Sequence, residues 1–294
     1  MTANERPFPE EPNGVSAGRD NAMSVDVEDY FQVSALRPYV SPDDWDRYPL
    51  RVERNVGLIL DIFAAAGIRA TFFWLGWVAE RLPGVVRQVA AAGHEIASHG
   101  YRHIRVHEQQ PAEFRADITR TRALLEDLSG QRVIGYRAAS FSLNADCLWA
   151  LDELSEAGYR YSSSINPVRH DHYGMREAPR FPFHFDGHPL IEIPITTLQY
   201  GGWRFPCGGG GFFRLLPYWW SHWALARVCG GEGRPAVFYF HPWELDPDQP
   251  RVGDIDLRTR FRHYVNLARF EGKLRRLAGD FRWAPVGEVF AKVI

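Results

Sequence analysis

Short apolar runs alternate with amphipathic stretches along nearly the whole chain, and this alternation constrains the fold more than any other feature. Residues 22–27, 70–75, 94–98, 133–138 and 159–163 each read as a strand. Between the first two, RVERNVGLILDIFAAA over 51–66 sets Val52, Val56, Ile59, Leu60 and Phe63 at helical spacing, with Gly67 as the stop. Residues 82–92 form a second predicted helix, ended by Gly93. Pro111 opens a third, running to about Leu128 before Gly130, and Asn144 caps a fourth that ends at Gly158. Later come an apolar element at 190–196, a helix over 215–228, a strand at 236–240, a long helix over 257–278, and a closing strand and helix within 281–293. Strand–helix alternation implies a parallel sheet with crossover helices. Strands that are apolar throughout fit an α/β barrel wrapped by helices better than a sandwich with one wet face. One domain over 22–294 follows a loose tail, 1–21, that carries Pro7, Pro9, Pro12, Gly14 and Gly18.

Several classes of function are excluded by composition. Lys and Arg number 34 against 36 Asp and Glu, a balance with no electrostatic footprint for nucleic acid and no polybasic handle for anionic lipid. Cys147, Cys207 and Cys229 lie far apart without a C-x-x-C spacing, so they read as reduced thiols rather than a disulfide framework or zinc finger. The first residues lack a basic start followed by an apolar run, and no apolar stretch approaches the ~18 residues of a membrane helix. The expectation is a cytoplasmic protein with no stable membrane insertion.

The least regular stretch is 164–214, dense in Pro, Gly, His and aromatics, and a loop region of this length inside a domain is usually functional or a subdomain. Its Gly208–Gly211 run has no following Lys-Ser/Thr, so it is not a phosphate loop; a close-approach loop beside a ligand is expected instead.

Chemistry-bearing residues gather where predicted strands end, the edge at which parallel α/β folds collect reacting groups. SVDVEDYF over 24–31 crowds Asp26, Glu28 and Asp29, and like charges held so close suit a cation or a base. HGYRH after the third strand sets His99 and His103 four apart, facing one way if the segment is a helical turn. Two imidazoles and a carboxylate leave positions open on a divalent metal, as hydrolysis requires. Arg137 in GYRAA and His241 in FYFHP each end another strand. Singly, each of these is an ordinary surface or core residue; their succession on strand ends is what points to a site.

The ordered set SVDVEDYF, SHGYRH, GYRAASF and FYFHPWE resembles the polysaccharide deacetylase family, also called the NodB-homology family or carbohydrate esterase family 4. Within it, RHDHYG at 169–174 and PCGGGGFFR at 206–214 are similar to the branch associated with exopolysaccharide loci of exosortase/PEP-CTERM systems. The resemblance covers about 22–294 and implies a distorted (β/α) barrel of NodB-homology type, with an irregular insert and a C-terminal helical extension, 164–294 being specific to the branch. It implies Asp26 as catalytic base, Arg137 as the arginine orienting it, His241 as general acid, and His99 and His103 as ligands of a divalent metal, most simply zinc. Many members carry two adjacent aspartates, whereas Val27 follows Asp26 here; the carboxylate ligand is then Glu28 or Asp29, with Glu28 slightly favoured.

The implied activity is removal of N-acetyl groups from an amino-sugar polysaccharide or its precursor in exopolysaccharide biosynthesis, with an N-acetylated glycan as partner. Trp203, Phe212, Phe213, Trp219, Trp220 and Trp243 could offer faces to sugar rings, and Arg169, His170 and Trp243 are the expected substrate contacts, with Asp171 alongside. Two other readings are a catalytically dead carbohydrate-binding barrel and a cyclic ureide or imide hydrolase of the same fold. The first would lose Asp26 or His241, and the second would alter the first motif; all these residues are present.

Overall fold

In the computed structural model the described residues are 20–168 and 174–294. Strands β1 (Asn21–Val27), β2 (Thr71–Trp74), β3 (Glu95–Ser98), β4 (Gly135–Tyr136) and β5 (Tyr161–Ser162) alternate with α1 (Val52–Ala66), α2 (Gly76–Arg81), α3 (Pro83–Ala91), α4 (Pro111–Ser129) and α5 (Ala150–Glu156). Then follow β6 (Phe183–His184), β7 (Ile191–Glu192), β8 (Thr197–Tyr200) and β9 (Trp203–Pro206). After these come α6 (Gly210–Leu215), α7 (Tyr218–Ala226), β10 (Val237–Phe240), α8 (Leu257–Tyr264), α9 (Leu267–Asp280), β11 (Trp283–Ala284) and α10 (Val286–Val289).

The main sheet runs β10-β1-β2-β3-β4-β5-β7-β6, parallel except for the β6–β7 pair, and β11 also pairs with β1. The sheet curls into the expected distorted α/β barrel, closed by irregular chain. Beyond β7, Ile193 and Ile195 donate to the carbonyls of Ser162 and Ile165, and Thr196 donates to Val237 of β10. Tyr239 of β10 donates in turn to Gly208, completing the ring.

Both faces of the strands are buried, as their composition requires. Met23, Val25, Val27, Phe72, Trp74, Ile96 and Phe238 pack outward against the helices. Ala22, Phe73, Ala97, Tyr161, Ile193, Val237 and Tyr239 fill the interior. Because side chains alternate along a strand, β1 sends Ala22, Ser24 and Asp26 to the same face. The interior is polar at both ends: Thr71, Glu95 and Tyr161 hydrogen-bond together near the N-terminal ends of β2 and β3, and the acid and histidine side chains gather at the C-terminal ends.

Three sequence expectations are corrected. The long helix over 257–278 is two helices, α8 and α9, because Asn266 takes a left-handed conformation (φ 55°), which asparagine tolerates without a glycine to announce it. The helix expected to begin at Leu215 is instead α6 and α7, parted at Leu216–Pro217, since Pro217 forces extended backbone before it. The 164–214 stretch is not wholly loop: it holds the antiparallel hairpin β8–β9. β1 starts at Asn21, one residue before the strand expected at 22–27.

Gly208–Gly211 is a close-approach segment whose main neighbour is β10. A Cβ on Gly209 (φ 120°) would stand 1.8 Å from the Tyr239 carbonyl oxygen, and one on Gly208 would meet the Val237 carbonyl at 2.8 Å. Only glycine lets the backbone lie on the strand there. Gly210 and Gly211 go on to line the cleft described below.

Candidate metal and catalytic centre

Strand register brings the sequence motifs to one level. Val25 pairs with Phe240, so Asp26 and His241 follow side by side; Val27 pairs with Trp74, Trp74 with Ser98 and Ser98 with Tyr136, so Glu28, His99 and Arg137 come next. Asp26, Glu28, His99 and His241 line a cleft of about 440 Å³ at the C-terminal ends of the strands, with Arg137 buried behind them.

Arg137 is fully buried. Its guanidinium donates to Asp26 Oδ1 (2.5 Å), Ser24 Oγ (2.9 Å), the Ser163 carbonyl (3.0 Å) and Ser163 Oγ (3.0 Å), and lies 4.0 Å over the Phe73 ring. Four of the five N–H donors of the fork are engaged in this way, so the Asp26 carboxylate is held rigidly through one oxygen. Its other oxygen, Oδ2, stands 4.0 Å from His241 Nε2.

Glu28, His99 and His103 form a buried cluster whose ligand atoms lie within 4.8 Å of one another. His99 Nδ1 is 2.8 Å from the Arg137 carbonyl, an acceptor only, so that nitrogen carries the proton and Nε2 keeps its lone pair. His103 Nε2 lies 3.1 Å from Glu28 Oε2, while its Nδ1 is 3.5 Å from Ser34 Oγ. Burial holds His99 down at about 4 and His103 well below its usual range, so both imidazoles are neutral at pH 7. The expected helical turn is absent. Left-handed backbone at Gly100 (φ 73°) and His103 (φ 53°) folds the segment so that the two rings sit 5.1 Å apart.

Glu28 and Asp29, the two candidates for the carboxylate ligand with Glu28 slightly favoured on sequence grounds, are placed differently. The buried Glu28 carboxylate accepts from Trp243 Nε1 at 3.2 Å, and its Oε2 has no hydrogen-bond partner among the described residues. Burial lifts its pKa to about 7, with only a smaller contribution from the neighbouring carboxylates, so crowding is not the main cause. Asp29 points elsewhere: its oxygens accept the backbone N–H groups of Tyr30 (2.8 Å), Arg51 (2.6 Å) and Val52 (2.9 Å), capping α1 from 22 residues upstream.

His241 Nδ1 lies 3.2 Å from Glu244 Oε2, and its Nε2 faces Glu28 Oε1 at 3.6 Å. Burial alone would lower its basicity, but the charges of Glu28, Glu244 and Asp26 outweigh it and hold the ring up at about 9. Glu244 is itself buried; Arg214 Nε donates to its Oε1 at 2.7 Å, and the arginine also binds the carbonyls of Arg262, His263 and Val265. Against burial, Arg214 and His241 keep the Glu244 carboxyl below its usual range. Trp243 stacks on His241 (5.4 Å, 22°) and on His263 (4.4 Å, 16°), and its indole is buried as a packing and hydrogen-bonding partner of the site.

The expected substrate contacts Arg169 and His170, with Asp171, lie outside the described residues. Of the aromatics singled out, Phe212 and Trp243 line the cleft, Phe213 is core, and Trp203 and Trp219 are exposed away from it. Sequence reasoning missed Glu244, Arg214, Ser24, Ser163 and His263. The three-residue step from His241 to Glu244 was the one available signal, since it reads as a capping-box spacing.

Residues 43–162 match the polysaccharide deacetylase family. Residues 163–291 match a domain of unknown function, DUF3473. The cleft spans both matches and more, because Asp26 and Glu28 precede the first while His241 and Glu244 fall within the second. A peptidoglycan-N-acetylglucosamine deacetylase of Bacillus cereus is 38% identical over 72 residues, 24% of this chain and 26% of that protein. A peptidoglycan deacetylase-like protein of Gibberella zeae is 29% identical over 114 residues, 38% of this chain and 33% of its own length. The chain thus spans about a quarter to a third of the curated relatives it matches. A solved Mycobacterium smegmatis protein carrying the polysaccharide deacetylase designation shares the fold, with TM-score 0.61 at 18% identity, over 97% of this chain and 93% of its own. No helix among the described residues is long and apolar enough to cross a membrane.

Proposed function

We propose that this chain is a metal-dependent hydrolase that removes N-acetyl groups from an amino-sugar polysaccharide or its precursor, in exopolysaccharide biosynthesis. The observation that carries the reading is the meeting, in one cleft, of an arginine-held carboxylate (Asp26), a carboxylate-backed imidazole (His241) and the Glu28–His99–His103 cluster. The donors fit a divalent ion: two neutral imidazoles, one with its tautomer fixed by a carbonyl, and a buried carboxylate whose Oε2 accepts no hydrogen bond among the described residues and faces His103 Nε2 at 3.1 Å. Zinc suits that donor set. When bound, it would polarise an amide carbonyl and make nearby water more acidic.

Asp26 takes the proton of the attacking water at Oδ2, the oxygen Arg137 leaves open. Arg137 keeps the carboxylate aimed, and the stacking of its buried guanidinium over Phe73 prevents it from swinging away. His241 enters the reaction protonated, with Glu244 on Nδ1, and gives the Nε2 proton to the departing sugar nitrogen, since an amine anion is a very poor leaving group. Trp243 keeps His241 and Glu28 in place by stacking on one and donating to the other. The sugar amide as target is supported by the name of the Bacillus cereus relative.

Elemental mass spectrometry of the purified protein beside His99→Ala tests the reading. About one zinc-like ion per chain, lost in the variant, is the expected result. A wild-type protein that takes up no ion after incubation with zinc, cobalt or nickel would overturn it and favour a carbohydrate-binding barrel.

A further inference from the structure

Three near-parallel rings meet in the cleft wall. Trp243 stacks on His241 (5.4 Å, 22°) and more closely on His263 of α8 (4.4 Å, 16°), and only His241 takes part in the proposed proton transfers. His263 is held at both its backbone and its ring. Its carbonyl accepts from Arg214 Nη1 at 2.6 Å, and its Nε2 stands 2.8 Å from Gln249 Oε1. Gln249 is buried and fixed in turn, because its Nε2 donates to the carbonyls of Trp243 (2.8 Å) and Asp246 (2.9 Å). With the amide turned that way its oxygen can only accept, so His263 Nε2 carries the proton. Nδ1 is then a bare lone pair, buried and without a hydrogen-bond partner among the described residues. Burial pushes the ring down to about 3, so it is neutral at pH 7.

A buried nitrogen without a partner is costly, and an apolar side chain would fill this space without it. What the imidazole adds is a flat face whose rotation is locked by one hydrogen bond, to a glutamine that also holds the Trp243 backbone. We propose that His263, locked by Gln249, is a positioning residue that fixes the plane of the Trp243 indole, and through it the aim of His241 and the place of Glu28. The proposal rests on the deacetylase reading for its effect on turnover but not for its effect on the indole. His241, Trp243, Gln249 and His263 all lie within the 163–291 segment matching DUF3473. On this account that segment braces the general acid and, through Trp243 Nε1, a carboxylate that lies outside it.

The test compares His263→Phe, which keeps a flat ring but loses the lock, with His263→Leu, which fills the space with neither. Acetate release from an N-acetylglucosamine oligosaccharide is measured on folded protein reloaded with zinc. Turnover is expected to fall about threefold in His263→Phe and at least about tenfold in His263→Leu. KM should stay within about twofold of wild type in both. The second readout is solvent exchange of the Trp243 indole N–H in metal-free protein, followed by nuclear magnetic resonance. Its signal is assigned by its absence from Trp243→Phe. Exchange should quicken in the same order, by about tenfold in His263→Leu. If His263→Leu does not fold, His263→Phe makes both comparisons with wild type. Wild-type kcat in either variant, a loss carried by KM, or unchanged indole exchange overturns the proposal. No acetate release from the wild-type protein overturns the deacetylase reading instead. The indole then decides alone, faster exchange in the variants sustaining the proposal and unchanged exchange refuting it.

Discussion

Asp29→Ala separates the two adjacent acids of the first motif, because only one of them is tied to the backbone. Removing the Asp29 carboxylate leaves three donors without acceptors, the N–H groups of Tyr30, Arg51 and Val52, two of them at the start of the 15-residue α1. A lost cap costs ~0.5–2 kcal/mol, and each buried donor left unpaired costs ~1–3 kcal/mol. Burial outweighs these bonds and holds the Asp29 carboxyl up at about 6, which offsets part of the sum. A net loss of about 2–3 kcal/mol is therefore expected. At roughly 2 °C per kcal/mol for a chain of this size, the melting midpoint should fall by about 4–6 °C. Metal content, once the protein is reloaded, should stay at the wild-type level.

Glu28→Gln should do the opposite. Glu28 has its folded pKa lifted from 4.5 to about 7, so its ionisation costs the metal-free fold stability as pH rises through that window, with the full cost present above pH 7. In chelator at pH 8, Glu28→Gln should melt no lower than wild type, yet fail to retain an ion. The assay is calorimetric melting in chelator, with metal per chain measured separately by elemental mass spectrometry. An Asp29→Ala protein that melts like wild type but loses its metal would refute the assignment, as would a Glu28→Gln protein that keeps a full ion.

His241→Ala should bind metal normally and lose ~10²–10⁴-fold in turnover; acetate-release kinetics beside metal content check this. Arg214→Met removes the main counter-charge of the buried Glu244 and should cost ~3–5 kcal/mol, read as a fall in denaturant midpoint. His94, packed on Phe63 and Phe72 and accepting the Ala70 N–H, is lowered by burial from 6.5 to about 4. Its contribution is full above pH 6.5 and lost as pH falls toward 4. Melting midpoints across that range should therefore drop less steeply in His94→Gln than in wild type.

The fold was legible because each barrel strand is a short apolar run followed by a chemically distinctive residue, and parallel register does the rest. Once Val27, Trp74, Ser98 and Tyr136 align, Glu28, His99 and Arg137 must emerge together. Glu28 was only slightly favoured over Asp29 because the difference depends on where the start of α1 docks, 22 and 23 residues downstream. Arg214 was invisible for a similar reason: its partner Glu244 lies 30 residues away, and the glycine run before it drew attention to a ligand rather than to β10. The turn holding His99 and His103 follows from left-handed backbone at a histidine, a conformation that no local propensity announces.

The central claim, a metal-dependent N-deacetylation in this cleft, is tested most directly by acetate release from an N-acetylated oligosaccharide before chelation, after chelation and after reloading with zinc. Release that disappears with the ion and returns with it is the predicted result. Release that persists in fully metal-free protein, or none from the loaded protein on neutral and anionic glycans alike, would contradict it.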